Sequence, residues 1–236
     1  MTAAAPESRS KSEPAPNVTG DYLPAAGRRG FESLYDPVVG ATMRERTFRA
    51  LLVEHVRAAQ PAAQRVLDLG TGTGSLALAL ARALAQTRIT GLDPDPGILA
   101  RARAKAAQAG LEGKLDWVQG RSEQLPFEDG TFQAVSCSLM LHHLEPPAKL
   151  LALGEALRVL APGGTLHIAD WGAAQDPVMR LAFFAIQLLD GFSRTRDHAA
   201  GLLPDTIARA GFEQVQVRER LRTVWGTLEL IDARRA

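Results

Sequence analysis

The sequence predicts an α/β fold in which a mostly parallel sheet ends in an antiparallel hairpin. Three observations carry this. Short apolar runs alternate with longer stretches of helical period, which is the pattern of repeated strand–helix units. A glycine-rich loop, Gly70-x-Gly72-x-Gly74, joins the first strand to its helix. Near the end of the chain two strand-like stretches, 213–222 and 223–231, follow each other with almost nothing between them, and only an antiparallel pair can be joined so tightly.

Taken in order, a helix starts near Met43, with Phe48, Leu51, Leu52, His55 and Val56 on one face and Arg44, Arg46 and Arg49 on the other. The run Arg65-Val-Leu-Asp-Leu69 is the first strand, and Leu76, Leu78, Leu80 and Leu84 mark the helix after it. Arg88-Ile-Thr-Gly-Leu92 is the second strand, with a helix from about Ile98; Leu115-Asp-Trp-Val-Gln119 is the third, and Phe132-Gln-Ala-Val-Ser136 the fourth. A helix from about Ala148 is expected to stop at Ala161-Pro-Gly-Gly164, ahead of a fifth strand at 165–169. Residues 177–192 form an apolar helical insertion before the helix near Leu202. Parallel strands joined in this way require right-handed crossovers.

The 236 residues suit one domain, read as 31–236, preceded by a tail at 1–30 rich in Ala, Pro, Ser and charge that has no face to bury and should be dispensable for folding. Apolar residues make up 46% and charged residues 22%, and no stretch is long and apolar enough to span a bilayer, so no stable membrane insertion is expected. The 27 basic and 26 acidic residues nearly cancel, leaving no field to attract nucleic acid. One cysteine, Cys137, allows no intrachain disulfide and no cysteine-based metal site. The first residues lack a secretory apolar stretch, and the expected compartment is the cytoplasm. Basic residues that are nearly all Arg, together with abundant Ala, suit a GC-rich bacterial source.

Glycines between a strand and a helix permit a tight turn and let a ligand reach the backbone without meeting a Cβ. Asp93 ends the second strand, roughly twenty residues on, where a carboxylate can accept hydrogen bonds from both hydroxyls of a ribose. Together they read a nucleoside-bearing cofactor; the bland alternative is a structural turn beside a solvated carboxylate. Ser75 stands where the dinucleotide fingerprint has its last glycine, and the only tyrosines, Tyr22 and Tyr35, form no Tyr-x-x-x-Lys pair, so a nicotinamide oxidoreductase is the weaker reading.

The stretches VLDLGTGTG, GLDPD, LPFEDGTF, LHHL and RVLAPGG, in this order and spacing, resemble the class I S-adenosylmethionine-dependent methyltransferases over roughly residues 35–231, in a style similar to the ubiquinone and menaquinone C-methylases. The resemblance implies a Rossmann-like three-layer sandwich around a seven-stranded sheet of order 3-2-1-4-5-7-6, with strand 7 antiparallel. It implies S-adenosyl-L-methionine as cofactor and a small-molecule acceptor. It also implies that Asp68 and the backbone at Gly70 and Gly72 hold the methionine end, that Asp93 takes the ribose and that Pro94 flanks the adenine. In relatives a tyrosine at the place of Tyr35 can close over the cofactor, with packing as its equal alternative, and Thr71, Ser122, Glu123 and Ser138 complete the candidate set. Two departures stand out. Gly120-Arg121-Ser122 replaces the common Gly-Asp-Ala, and Arg121, having donors only, cannot accept from the adenine amine, which leaves Glu123, Gln124 or a backbone carbonyl. Gln133 replaces a common Asp at the start of strand four.

Methyl transfer from a sulfonium asks the protein mainly for alignment and exclusion of water, plus a base if the acceptor is acidic. His142 and His143 follow strand four at the sheet's carboxyl edge; His143 is the candidate base, with packing or capping as its alternative, and His142 a candidate pocket residue. Asp170 and Trp171 end strand five at the same edge and are candidates to line the acceptor pocket, with core packing as the alternative for Trp171. Leu181, Phe184, Ile186, Leu188 and Leu189 leave the insertion almost no polar face, so a lid at about 175–192 is expected, with Phe183 and Phe184 toward a small apolar acceptor, or equally a homodimer contact or plain core. No His, Cys or carboxylate group has metal-ligand spacing, so no metal is expected. A non-catalytic binding or regulatory protein is the remaining alternative. Cys-Ser-Leu-Met after strand four excludes the Asn-Pro-Pro-Tyr signature of amino-group enzymes, and one cysteine speaks against arsenite methylation of the multi-cysteine type.

Overall fold

Helix α1 (Glu45–Ala59) leads into β1 (Arg65–Leu69), α2 (Ser75–Ala83), β2 (Arg88–Asp93), α3 (Pro96–Gln108), β3 (Leu115–Gln119), β4 (Phe132–Ser138), α4 (Pro146–Val159) and β5 (Leu160–Trp171). The helices α5 (Pro177–Asp190), α6 (Phe192–Ala199) and α7 (Leu203–Arg209) then precede the hairpin β6 (Glu213–Thr223) and β7 (Gly226–Arg234). The computed structural model describes residues 44–236, so the tail at 1–30 and Tyr35 lie outside the described residues.

The sheet order is β3-β2-β1-β4-β5-β7-β6, with β1 to β5 mutually parallel and β7 antiparallel to both of its neighbours. Alternation along each strand splits the core in two. Val66, Ile89, Ala134 and Trp171 point toward α1, α2 and α5, and Leu67, Leu92, Val135 and Ile168 point toward α4 and α7. Helix α1 docks through Phe48, Leu52 and Val56, all fully buried, each contributing about 1.5–3 kcal/mol of apolar transfer. Gln133 accepts from the N–H groups of Gln64 and Arg65 at 3.1 and 2.9 Å and so fastens β4 to the entry of β1, a supporting role away from the glycine turn.

Three expected boundaries change. β5 starts at Leu160, paired with Phe132, and 161–164 is an irregularity inside the strand rather than a loop before it. Gly164 is required there, because a Cβ would come within 2.8 Å of the Ala161 carbonyl. The hairpin turns at Val224-Trp225, with Thr223 paired to Gly226. The insertion is two helices, broken at Gly191 (φ +94°). Its first helix buries Met179, Phe183 and Ile186, whereas Val178, Leu181, Leu188 and Leu189 are exposed.

Candidate active site

At the carboxyl ends of β1, β2 and β4 a cleft of about 300 Å³ opens beneath the start of α1. Its floor is the β1–α2 turn. Gly70, Gly72 and Gly74 all have positive φ (69°, 54° and 75°), which only glycine adopts freely. A Cβ on Gly70 would collide with Met140 at 2.4 Å, whereas one on Gly72 would meet nothing within 4 Å, so the open side of the turn faces the cleft.

Asp93 stands on the wall with its carboxylate fixed by two backbone donors: Gly72 N–H to Oδ2 and Asp95 N–H to Oδ1, each at 3.0 Å. Burial raises its pKa and those two donors partly offset the rise. Asp95 in turn caps α3, accepting from Gly97 and Ile98 N–H with Pro96 at the first helical position, which fixes the chain direction right after Asp93. Asp68 lies under the turn rather than on the wall. It accepts from Thr71 Oγ1 at 2.7 Å and Ser136 Oγ at 3.3 Å, and burial pushes its pKa up to about 6 against those bonds.

Thr71, Pro94, Ser122, Glu123, Ser138 and His143 also line the cleft. Glu123 takes Arg121 Nη2 on one oxygen (2.7 Å) and Ser122 Oγ on the other (2.8 Å), so Arg121 organises the acceptor that it cannot itself supply. Sequence reasoning missed Glu45, Phe48, Arg49, Leu139 and Met140 on the wall. Arg49 pairs with Glu45 one turn away at 2.6 Å, an i,i+4 spacing readable in the sequence, but that α1 roofs the cleft is a matter of docking. Leu139 holds φ 51°, uncommon for a side chain of its size, at the bend that turns the chain from β4 across the cleft.

The two histidines separate. His142 is buried, with Nδ1 2.7 Å from Asp170 Oδ1, and Asp170 also accepts from Leu141 N–H (2.9 Å) and Trp171 N–H (2.7 Å). Burial pushes the Asp170 pKa up, but His142 and His198 outweigh it and hold the group well below the carboxylate range. This brace anchors the segment carrying His143, whose side chain is 35% exposed and reaches the cleft. Burial, then the adjacent His142, lower the His143 pKa, so the ring is neutral at pH 7. Its Nδ1 lies 3.7 Å from Asp190 Oδ1. His142, Asp170, Trp171, Phe183 and Phe184 do not line this cleft: Trp171 and Phe183 pack together in the core at 5.6 Å between ring centres, and Phe184 meets Phe192 at the surface. The alternation of β5 and the pitch of α5 turn them there.

Residues 66–164 match a family model described as a methyltransferase domain. A ubiquinone/menaquinone biosynthesis C-methyltransferase from Roseobacter denitrificans is 34% identical over 125 residues, covering 53% of this chain and 49% of that protein. The matched segment, less than half of the chain, is thus similar to a methyltransferase domain. This chain spans about half the length of that relative. Among solved structures, an O-methyltransferase family protein from Burkholderia thailandensis superposes with a TM-score of 0.69 at 19% identity, over 86% of this chain and 58% of that one. The [4+2]-cyclase SpnF superposes with a TM-score of 0.60 at 22% identity, over 78% and 80%. The fold is thus shared by proteins whose names describe different reactions, and the reaction must be argued from the site.

Proposed function

We propose that this chain transfers a methyl group from S-adenosylmethionine to a small-molecule acceptor bound beside His143. The observation that carries the reading is the Asp93 carboxylate, set on the cleft wall by Gly72 and Asp95 N–H with both oxygens oriented, opposite a turn whose glycine leaves room for a ligand. The residues present fit the cofactor: Asp93 for the ribose, Pro94 beside the adenine, the Ser122–Glu123 pair at the adenine edge, and the turn at Gly70 to Gly72 for the methionine end. When bound, the cofactor supplies an electrophilic methyl on a sulfonium, which becomes a thioether as the bond to the acceptor forms. The chain aligns the acceptor, excludes water under α1 and receives the acceptor's proton on neutral His143. Asp190, 3.7 Å away, stabilises the imidazolium that results.

The similarity to quinone C-methylases and the apolar wall from Phe48, Leu139 and Met140 support a largely apolar acceptor. A single domain over 31–236 acting in the cytoplasm completes the reading, and no described helix is long and apolar enough to cross a membrane. Incubation with methyl-labelled S-adenosylmethionine and pools of quinones, phenols, amines and lipids tests it: label should enter an apolar quinone or phenol, with release of S-adenosylhomocysteine. Cofactor binding without transfer to any pool would instead favour the regulatory alternative.

A further inference from the structure

Away from the cleft, three distant parts of the chain bring two imidazoles and a carboxylate together beneath α1. His167 in β5 stands opposite Asp232 in β7, so their side chains leave the sheet on the same face, and His55 of α1 comes down between them. His167 Nδ1 is 2.8 Å and His55 Nδ1 3.1 Å from Asp232 Oδ1, and these three ligand-type atoms all lie within 4.8 Å of one another. His55 and Asp232 are only slightly exposed and His167 is fully buried, so each position is held by packing rather than by a mobile surface side chain.

The surroundings are those of a supported ligand set. The other ring nitrogen of His167, Nε2, is 2.9 Å from Thr165 Oγ1; with the ring proton on Nε2 and accepted there, Nδ1 presents its lone pair to the centre of the group. Arg218 Nε lies 3.3 Å from the outer oxygen of Asp232 and fixes that carboxylate while its inner oxygen points at both imidazoles. A cleft of about 180 Å³, lined in part by Thr165, Gln216 and Arg218, opens onto His167 and Asp232 and gives an ion both a path in and room for a water ligand. We propose that His55, His167 and Asp232 bind a divalent transition-metal ion of the zinc type, with water in the remaining position.

Two nitrogens and one oxygen select a borderline ion such as Zn²⁺ or Co²⁺ over Ca²⁺ or Mg²⁺, which take oxygen sets. Binding displaces whatever protons the imidazoles direct at Asp232 and needs the ligand atoms to part by a few tenths of an ångström, to roughly 3.4 Å, the edge of a tetrahedron with ~2.1 Å bonds. The sequence gives no sign of it, because these ligands come from a helix and from two strands that are neighbours in the sheet but far apart along the chain. The consequence lies in α1: the helix clamped at His55 also carries Glu45, Phe48 and Arg49 on the cofactor cleft, so an ion holds the roof of that cleft against the sheet.

Untagged protein, stripped with chelator, is titrated with Zn²⁺ at pH 7.5 by calorimetry and with Co²⁺ by visible absorption, and melted with and without Zn²⁺. Expected are one Zn²⁺ per chain with micromolar or tighter affinity, Co²⁺ bands of tetrahedral intensity, and a melting temperature raised by several degrees. His55→Ala and Asp232→Asn, each checked for native circular dichroism, should weaken binding at least tenfold and abolish the thermal shift. His143→Ala serves as the control, because His142, His143 and Asp190 form a second group of similar ligand types at the cofactor cleft. No stoichiometric binding by the wild type, or binding that survives His55→Ala, overturns the proposal. So does binding that disappears with His143→Ala alone, which puts the ion in the other group.

Discussion

The ends of β1 and β2 and the ends of β4 and β5 lie side by side on one sheet edge, yet they are built in different ways. The first pair uses backbone: three glycines at positive φ, two N–H groups fixing Asp93 and a proline-led helix start at Asp95. Few side chains take part, so the surface is set by local chain geometry and suits a ligand whose shape does not vary. The second pair uses buried side chains: Asp170 gathers His142 and the Leu141 and Trp171 amides, and Lys149, fully buried, donates to Asp197 and the Arg194 carbonyl. The proposed acceptor side of the cleft, reached by His143, is thus braced by tertiary contacts, which can change without disturbing the turn.

That comparison breaks most visibly at Asp170. Asp170→Ala leaves His142 and two amides facing a cavity, and removal of one partner from a buried pair costs about 3–5 kcal/mol; calorimetric melting should show a large fall while wild-type-like cofactor binding persists in the folded fraction. In the other half, Asp93→Ala removes the two charged hydrogen bonds proposed to the ribose, worth ~1.5–3 kcal/mol each, so cofactor affinity should drop by at least tenfold with melting much less affected. Unchanged affinity would falsify the ribose assignment.

Asp68 gives the cofactor half a pH signature. Its folded pKa, about 6, lies above the ordinary carboxylate value of 3.8, so the native state holds the proton more tightly and the stabilisation from this group is complete below pH ~4 and lost as pH rises through 6. The shift corresponds to about 3 kcal/mol. Asp68→Asn removes that dependence: the melting temperature of the variant minus that of the wild type should increase between pH 4 and 7, and a flat difference would mean that Asp68 titrates normally.

His143→Ala should lower kcat by ~10²-fold at constant cofactor affinity, and an equal loss for an acceptor that releases no proton would assign His143 to positioning instead. The smallest effect is expected at Phe184→Ser, where an exposed ring changes stability by under about 0.5 kcal/mol, whereas Phe183→Ala, a core deletion, costs about 3–5 kcal/mol. A rise in acceptor KM with Phe184→Ser would bring α5 into the acceptor site.

The fold and the glycine turn were legible in the sequence because both rest on local rules. Strand and helix periods differ, glycine alone tolerates the φ values at 70, 72 and 74, and a carboxylate at the end of β2 follows from chain direction. The hairpin was legible too, since two strands with a two-residue connection have only one way to pair. The roles of the side chains between elements were decided by tertiary structure. Adjacent in sequence, His142 turns inward to Asp170 and His143 outward to the cleft, because the segment after Leu139 is tied down at Leu141. Phe183 and Phe184 likewise go to the core and to the surface. His55, His167 and Asp232 are separated by most of the chain, and only the docking of α1 across β5 and β7 brings them within reach. Spacing along a chain encodes what one element does by itself; which groups meet depends on how elements pack, and that is fixed by the sum of many burial contacts rather than by any short motif.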